Sequence, residues 1–357
     1  MAKNEKSKKP LPKVQKVLVP SELRYDLVSE DWVVIATGRA KRPEAFKRDT
    51  KQLPAAPKAV CPFEKIETQE YPTLAYYKGE KIAEFPDDIS VLRWTTVAFP
   101  NKFPAFAPGI SMRGRSIGPY RVTDGVGFHE VITTKDHTKD IPDFTQRQVK
   151  ELIDVYQERY LALMGQAFVR YISIFKNKGP SAGATVGHPH SQLIAVPVTD
   201  PEIQRSLDSS YKFFSIERKC VHCVMLAWDR QEKSRVVYEN DCFTVVTPFA
   251  SRVAFEMRIY PIEHLAYFER EGEHQKECFA DALHIALRKL SKALKDPDYN
   301  YYLHTAPADK RDYDQYHWHL EILPKTATWA GFELGTGIEI STIEPEKAAE
   351  FLRNQKV

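Results

Sequence analysis

Long apolar runs are missing from this chain. No stretch reaches the roughly 18 apolar residues that a membrane-crossing helix needs, and the N-terminus lacks the apolar core of a secretory signal. A cytoplasmic protein with no membrane partner is therefore expected. Charge of one sign is missing too: 51 Lys+Arg face 48 Asp+Glu, a net of +3. Much of that excess lies in the first 16 residues, where Lys3, Lys6, Lys8, Lys9, Lys13 and Lys16 face the single acid Glu5. Residues 1–21 read as a disordered basic tail. The remainder has no basic cluster with which to hold nucleic acid. Cysteine is scarce: five residues, odd in number and unevenly spread, do not make a disulfide framework. A close pair among them points to metal, whereas Cys242 and Cys278 read as isolated buried thiols.

What the chain does have is Val186-Gly187-His188-Pro189-His190-Ser191-Gln192, leading into the apolar run Leu193–Pro197. Residues two apart on a strand share a face. One imidazole can then be fixed as a ligand while the other meets a substrate, and a neutral imidazole is a good nucleophile. Upstream, strands are expected at Trp32–Ala36, Ile89–Leu92, Thr95–Phe99 and Val126–Thr133. A helix follows, capped by Asp143 or Thr145, with Val149, Leu152, Ile153, Tyr156, Tyr160, Leu163 and Met164 at three- and four-residue steps; that stripe is core. The chain returns as a strand, Val169–Phe175, and enters the histidine stretch.

The second half repeats this order. A strand at Val253–Tyr260 leads to His264, a helix is marked by Phe279, Leu283, Ala286, Leu287, Leu290 and Leu294, and a strand returns at Asn300–His304. Then comes Tyr316-His317-Trp318-His319-Leu320-Glu321. His188 follows His137 by 51 residues, and His317 follows His264 by 53. This is an internal duplication.

Each copy opens on a corner suited to metal, Cys61-Pro62-Phe63-Glu64 in the first and Cys220-Val221-His222-Cys223 in the second. Adding the matching histidines gives two quartets: Cys61, Glu64, His137 and His188, and Cys220, Cys223, His264 and His317. Two thiolates with two imidazoles form a common closed zinc shell, while the carboxylate of Glu64 is a harder donor that suits another ion as well. His222 is expected to face solvent, and His304 and His319 are rival ligands. With His188 ligated, His190 is free and rigidly placed as a nucleophile. Ser191, Gln192 and the backbone N–H groups of Gly183 to Gly187 are the candidate stabilisers of phosphoryl charge. The second copy has Leu320 and Glu321 in place of Ser191 and Gln192; a carboxylate repels phosphate, so this copy reads as non-catalytic.

These residues resemble the histidine-triad superfamily, and within it the tandem branch of the galactose-1-phosphate uridylyltransferases. The likeness runs from about Glu22 to Arg353 and rests on Gly38-Arg39-Ala40-Lys41-Arg42-Pro43, Asn101-Lys102-Phe103, Asn177-Lys178-Gly179 and His188-Pro189-His190-Ser191-Gln192. It implies an α+β fold of two tandem histidine-triad-like domains, 22–200 and 201–357, each an antiparallel sheet with a long helix, the first catalytic. It further implies a homodimer and a nucleotidyl-histidine on His190 that passes a nucleoside monophosphate from a nucleotide sugar to a sugar 1-phosphate. His188 is then a metal ligand and Gln192 holds the transferred group. Arg39, Arg42, Asn101, Asn177, Gly183 and Thr185 match nucleotide-binding positions, and Phe332 and Glu333 are candidates for the sugar phosphate. UDP-glucose with galactose 1-phosphate is the substrate pair expected first. The segment Trp329–Gly337 and the second C-x-x-C look more like the ADP-glucose phosphorylase branch, in which inorganic phosphate is the acceptor. From another class, a zinc-dependent binding module stands as the rival.

Overall fold

The structure, a computed structural model, describes residues 21–36, 46, 57–109 and 113–357. The expected basic tail and the candidates Arg39 and Arg42 lie outside the described residues, apart from Ser21. In chain order the strands are β1 (Glu22–Tyr25), β2 (Trp32–Ile35), β3 (Leu74–Tyr77), β4 (Glu80–Lys81), β5 (Thr96–Pro100), β6 (Gly114–Ile117), β7 (Tyr120–Thr123), β8 (Phe128–Thr134), β9 (Tyr171–Lys178) and β10 (His190–Val196). They continue as β11 (Val236–Glu239), β12 (Phe243–Val246), β13 (Met257–Pro261), β14 (Tyr299–His304), β15 (His319–Pro324) and β16 (Ile340–Ser341). The helices are α1 (Gln146–Met164), α2 (Pro201–Glu217), α3 (Val221–Glu232), α4 (Glu273–Leu294), α5 (Gly331–Thr336) and α6 (Pro345–Arg353).

Among the described residues, eleven strands form one sheet in the order β11-β12-β13-β15-β14-β9-β10-β8-β5-β3-β4. Each described pairing in it is antiparallel. The order is symmetric about β9 and β14: β9, β10, β8, β5, β3 on one side match β14, β15, β13, β12, β11 on the other. The α+β class holds, and the duplicated units are fused, with Tyr299 opposite Lys178 and Leu303 opposite Ile174 along the seam.

The helix α1 begins where the sequence places it. Thr145 accepts from the Gln148 N–H while the Gln148 side chain accepts from the Thr145 N–H at 2.9 Å, a reciprocal cap that satisfies two orphan donors. Its apolar stripe and that of α4 are buried in one core that spans both copies. Both helices lie against the same sheet face, which buries Ser191, Leu193 and Ala195 of β10 and leaves His190, Gln192 and Ile194 on the opposite, partly open face.

Two expected strands change. Ile89–Val91 is a 3-10 turn, because the Asp88 carboxylate captures the Ser90 N–H and Val91 finds no cover, remaining 63% exposed. The strand expected from Val253 starts only at Met257, since Phe255 has a left-handed φ of 67° that interrupts extended backbone. α2 and α3 fill the region after β10, for which the sequence pattern sets no expectation. Asp200 caps α2 through the N–H groups of Glu202 and Ile203, and Pro201 occupies its first turn, a sequence signal for a helix start.

Candidate active site and metal centres

His188 lies in the bend before β10, and His190 is the strand's first residue. His190 Nδ1 is 2.9 Å from the His188 carbonyl oxygen. A carbonyl can only accept, so Nδ1 carries the proton and Nε2 keeps the lone pair. Burial lowers the pKa of His190 to about 4, which keeps the ring neutral and nucleophilic at physiological pH. The Phe63 ring stands 5.1 Å away and orients it from the side. A cavity of about 350 Å³ opens at this histidine, walled by Lys176, Asn177, Ala184, Val186 and Gly187 among others.

Gln192 shares the face of His190, as the strand period requires, and its Oε1 lies 2.7 Å from His129 Nε2. Ser191 does not share it. Its side chain points to α1, is 1% exposed and accepts from the Tyr156 hydroxyl at 2.6 Å, which corrects its assignment as a phosphoryl contact. The alternation of a strand sends residue 191 to the face opposite 190 and 192, so Ser191 anchors β10 to the core.

Asn101 follows β5, with Oδ1 accepting the Phe103 N–H at 2.9 Å. Asn177 lies one residue before the end of β9 and accepts from Asn300 Nδ2 at 2.8 Å, a side-chain bond across the seam. The loop between them and β10 is pinned from the second copy: Asp298 accepts the Ser181 N–H at 2.8 Å. Gly179 at φ 80° lies so close that a Cβ there would stand 1.8 Å from Asp298 Oδ1, so only glycine fits. Gly183 and Thr185 belong to this loop, but the cavity wall is made by their neighbours Ala184 and Val186. Phe332 and Glu333 do not line this cavity; both are on α5, where the Glu333 carboxylate accepts the Ala330 N–H at 3.1 Å and caps its own helix. Lys176, missed by sequence reasoning, is 4% exposed, pairs with Asp140 at 3.0 Å and reaches the His190 carbonyl at 3.4 Å.

Three members of the first quartet, Cys61, His137 and His188, converge, and Glu64 stands beside His137. His188 Nε2 is 2.7 Å from the Thr134 carbonyl and therefore donates there, leaving Nδ1 bare toward Cys61 Sγ at 3.4 Å and His137 Nδ1 at 3.2 Å. Glu64 Oε1 stands 3.1 Å from His137 Nδ1. In the second quartet the donor atoms of Cys220, Cys223, His264 and His317 lie within 4.8 Å of one another. His264 Nε2 and His317 Nε2 face the carbonyls of Asp314 and Pro261 at 2.8 and 3.0 Å, and both Nδ1 atoms face Cys223 Sγ at 3.2 and 3.4 Å. An outer carbonyl that fixes the tautomer and turns the bare nitrogen inward is the arrangement of a metal-ligating histidine. Cys220 is the N-cap residue of α3 and Cys223 sits in its first turn; the hydrogen bond from Cys223 lowers the pKa of the Cys220 thiol and favours its thiolate. Both sets fit a metal ion.

Three further expectations change. His222 is 1% exposed instead of solvent-facing, because α3 turns it onto the sheet against Tyr316 and His319. His304 and His319 group with Glu321 and do not join the quartet. Cys242 and Cys278 are not isolated: their Sγ atoms are 2.6 Å apart where the approach to β12 meets α4, with His274 Nε2 3.8 Å from Cys278 Sγ.

Comparison with known proteins follows the same lines. The family model described as "Galactose-1-phosphate uridyl transferase, N-terminal domain" matches residues 13–199, and a domain of unknown function (DUF4921) matches 127–355. ADP-glucose phosphorylase of Arabidopsis thaliana is 31% identical over 337 residues, covering 93% of this chain and 92% of its own. Galactose-1-phosphate uridylyltransferase of Thermotoga maritima is 29% identical over 349 residues, covering 94% and 99%. Among solved structures, an ADP-glucose phosphorylase from Arabidopsis thaliana with bound ADP-glucose superposes with a TM-score of 0.76 at 27% identity, covering 95% of this chain and 100% of that one. With this coverage and the paired histidine framework in place, the chain belongs to the galactose-1-phosphate uridylyltransferase family.

Proposed function

We propose that the protein is a double-displacement nucleotidyltransferase with His190 as its nucleophile. The observation that carries this is the tautomer: the Nδ1 proton is tied to the His188 carbonyl, so the Nε2 lone pair is the free one. In the first step Nε2 attacks the α-phosphorus of a nucleotide sugar, forming a P–N bond and breaking the P–O bond to the sugar 1-phosphate, which leaves. In the second an acceptor phosphate oxygen attacks the same phosphorus and the P–N bond breaks. Two in-line displacements retain configuration at phosphorus. Asn101, Asn177 and the 179–187 loop are the nucleotide contacts in this reading, and Gln192 holds the moving phosphoryl group. The two quartets hold zinc or a related ion as scaffold; the metal's part is to fix His188 and with it the main chain that orients His190.

For the substrates, ADP-glucose as donor and inorganic phosphate as acceptor is the favoured pair. The C-x-x-C of the second quartet and the phosphorylase relative support it. Galactose 1-phosphate as acceptor with UDP-glucose as donor is the second reading, supported by the uridylyltransferase relative. Intact mass after incubation with each donor separately is the test. A nucleotidyl increment from ADP-glucose, absent in His190→Ala and discharged by inorganic phosphate, is expected. Discharge by galactose 1-phosphate alone selects the second reading, and turnover without any increment on His190 overturns the mechanism.

A further inference from the structure

We propose that His129 is a positioning residue that sets which way the amide of Gln192 faces; this rests on the nucleotidyl-histidine reading. The Ala105 main-chain N–H points at His129 Nδ1 at 3.2 Å. A main-chain N–H can only donate, so Nδ1 is bare, and the ring carries its proton on Nε2. The Nε2–H has one good acceptor, Gln192 Oε1 at 2.7 Å. Asn101 Nδ2 also lies 3.1 Å from the same nitrogen, but two N–H groups cannot bond one another. Nor can Asn101 be turned round, because its Oδ1 already accepts the Phe103 N–H. The chain of bonds therefore has one consistent solution.

Its consequence is chemical. An unrestrained glutamine amide presents either its oxygen or its nitrogen to a neighbour, and the oxygen would repel a phosphoryl oxygen. With Oε1 held by His129, the Gln192 NH2 group is left for the phosphoryl group on the His190 face. The Asn101 NH2, denied the imidazole, is left for a ligand in the same way. The sheet makes this reach possible: His129 pairs with Ile194 in β8–β10 register, one diagonal step from Gln192. A donor fixed before the charge develops costs no reorganisation in the transition state.

Formation of the nucleotidyl-enzyme in a single turnover, followed by intact mass with ADP-glucose and with UDP-glucose, tests the assignment. The proteins are wild type, His129→Phe, Gln192→Ala, the double variant and His129→Gln, each checked by its melting curve. His129→Phe keeps a ring and loses the donor; it is expected to slow labelling by about 10- to 100-fold at saturating donor, with little change in the half-saturating concentration. The double variant should label no more slowly than Gln192→Ala, and His129→Gln, whose amide can reach the same oxygen, should recover part of the rate. Losses that multiply in the double variant, a loss confined to the half-saturating concentration, or an unimpaired His129→Phe overturn the proposal. A wild-type enzyme that takes no label fails the nucleotidyl-histidine reading itself, whereas a labelled wild type with multiplying losses fails only the role of His129.

Discussion

The two halves place the same pair of histidines in the same way, yet only the first pair opens onto a cavity. In the first copy His190 Nδ1 is 2.9 Å from the His188 carbonyl; in the second His319 Nδ1 is 3.1 Å from the His317 carbonyl. His188 and His317 both turn a bare Nδ1 toward thiols. What differs is what stands beyond. His190 opens onto a cavity, whereas His319 is 2% exposed beneath Tyr260, His304 and His222, with ring centroids 4.9, 5.1 and 5.2 Å away. Glu321, at the position of Gln192, is held by Arg258 at 2.8 Å and by Arg252, and Arg258 also pairs with Asp26. The sequence suggests that a carboxylate there repels phosphate, but the arginines already neutralise it. In the proposed reading the second copy is inactive because packed rings fill the space beside His319. The scaffold of metal ligands and the catalytic opening are thus separable features of one fold.

The sharpest way to break that comparison is to remove each histidine. His190→Ala should slow nucleotidyl transfer by about 10⁴-fold or more, since removing a covalent nucleophile costs on that order. His319→Ala should leave labelling intact and instead cost about 2–3 kcal/mol of stability from the buried cluster, measured by denaturant unfolding. Label found on His319 would end the distinction.

The two candidate metal sites differ in a smaller way. Cys61 and Glu64 offer one thiolate where Cys220 and Cys223 offer two, so a competing chelator should strip zinc from the first site about tenfold faster or more. Metal analysis of Cys61→Ala and Cys223→Ala protein, each expected to lose about one equivalent and stability with it, assigns the two phases. Equal release from both sites would show that the Glu64 substitution is immaterial.

The weakest effect expected is on pH. Helix α1 starts on the uncharged Thr145 and Gln148, whereas α4 is preceded by Glu271, whose pKa burial raises to about 7 despite the Trp318 Nε1–H bond at 2.7 Å. Its folded pKa lies above the unfolded value, so the folded state binds the proton more tightly and stability falls as pH rises between about 4.5 and 7. Glu271→Gln should remove part of that slope and gain about 1 kcal/mol at pH 8 in denaturant melts. An unchanged slope would place the proton elsewhere, on Glu269 first.

The duplication, the α1 and α4 stripes and the convergence of Cys61, His137 and His188 and of Cys220, Cys223, His264 and His317 were legible in the sequence because each rests on short-range periodicity or on residue types that few other roles require. The errors have physical causes. Ser191 was grouped with His190 by adjacency, although the strand period sends it to the other face. His222 was judged by its C-x-x-C motif, without the helix that turns it inward. His129 carried no signal, since a histidine in a strand takes its meaning from the Ala105 N–H and Gln192 that tertiary packing brings to it. The meeting of Cys242 and Cys278 likewise depends on α4 lying over β12. The fusion of the two sheets could not be foreseen from repeats that each read as self-contained.

That fusion has a consequence for how the chain is made. When the first copy has left the ribosome, β9 is still an open edge, a row of unpaired N–H and C=O groups on an eight-residue strand. Its proper neighbour β14 comes far later, and long-range pairing of this kind forms slowly. Another chain offering a β14 or a β9 of its own could take the place. The nascent first copy is therefore the stage at which this protein is most exposed to mispairing, and the Asn177–Asn300 contact across the seam cannot form until β14 has been made.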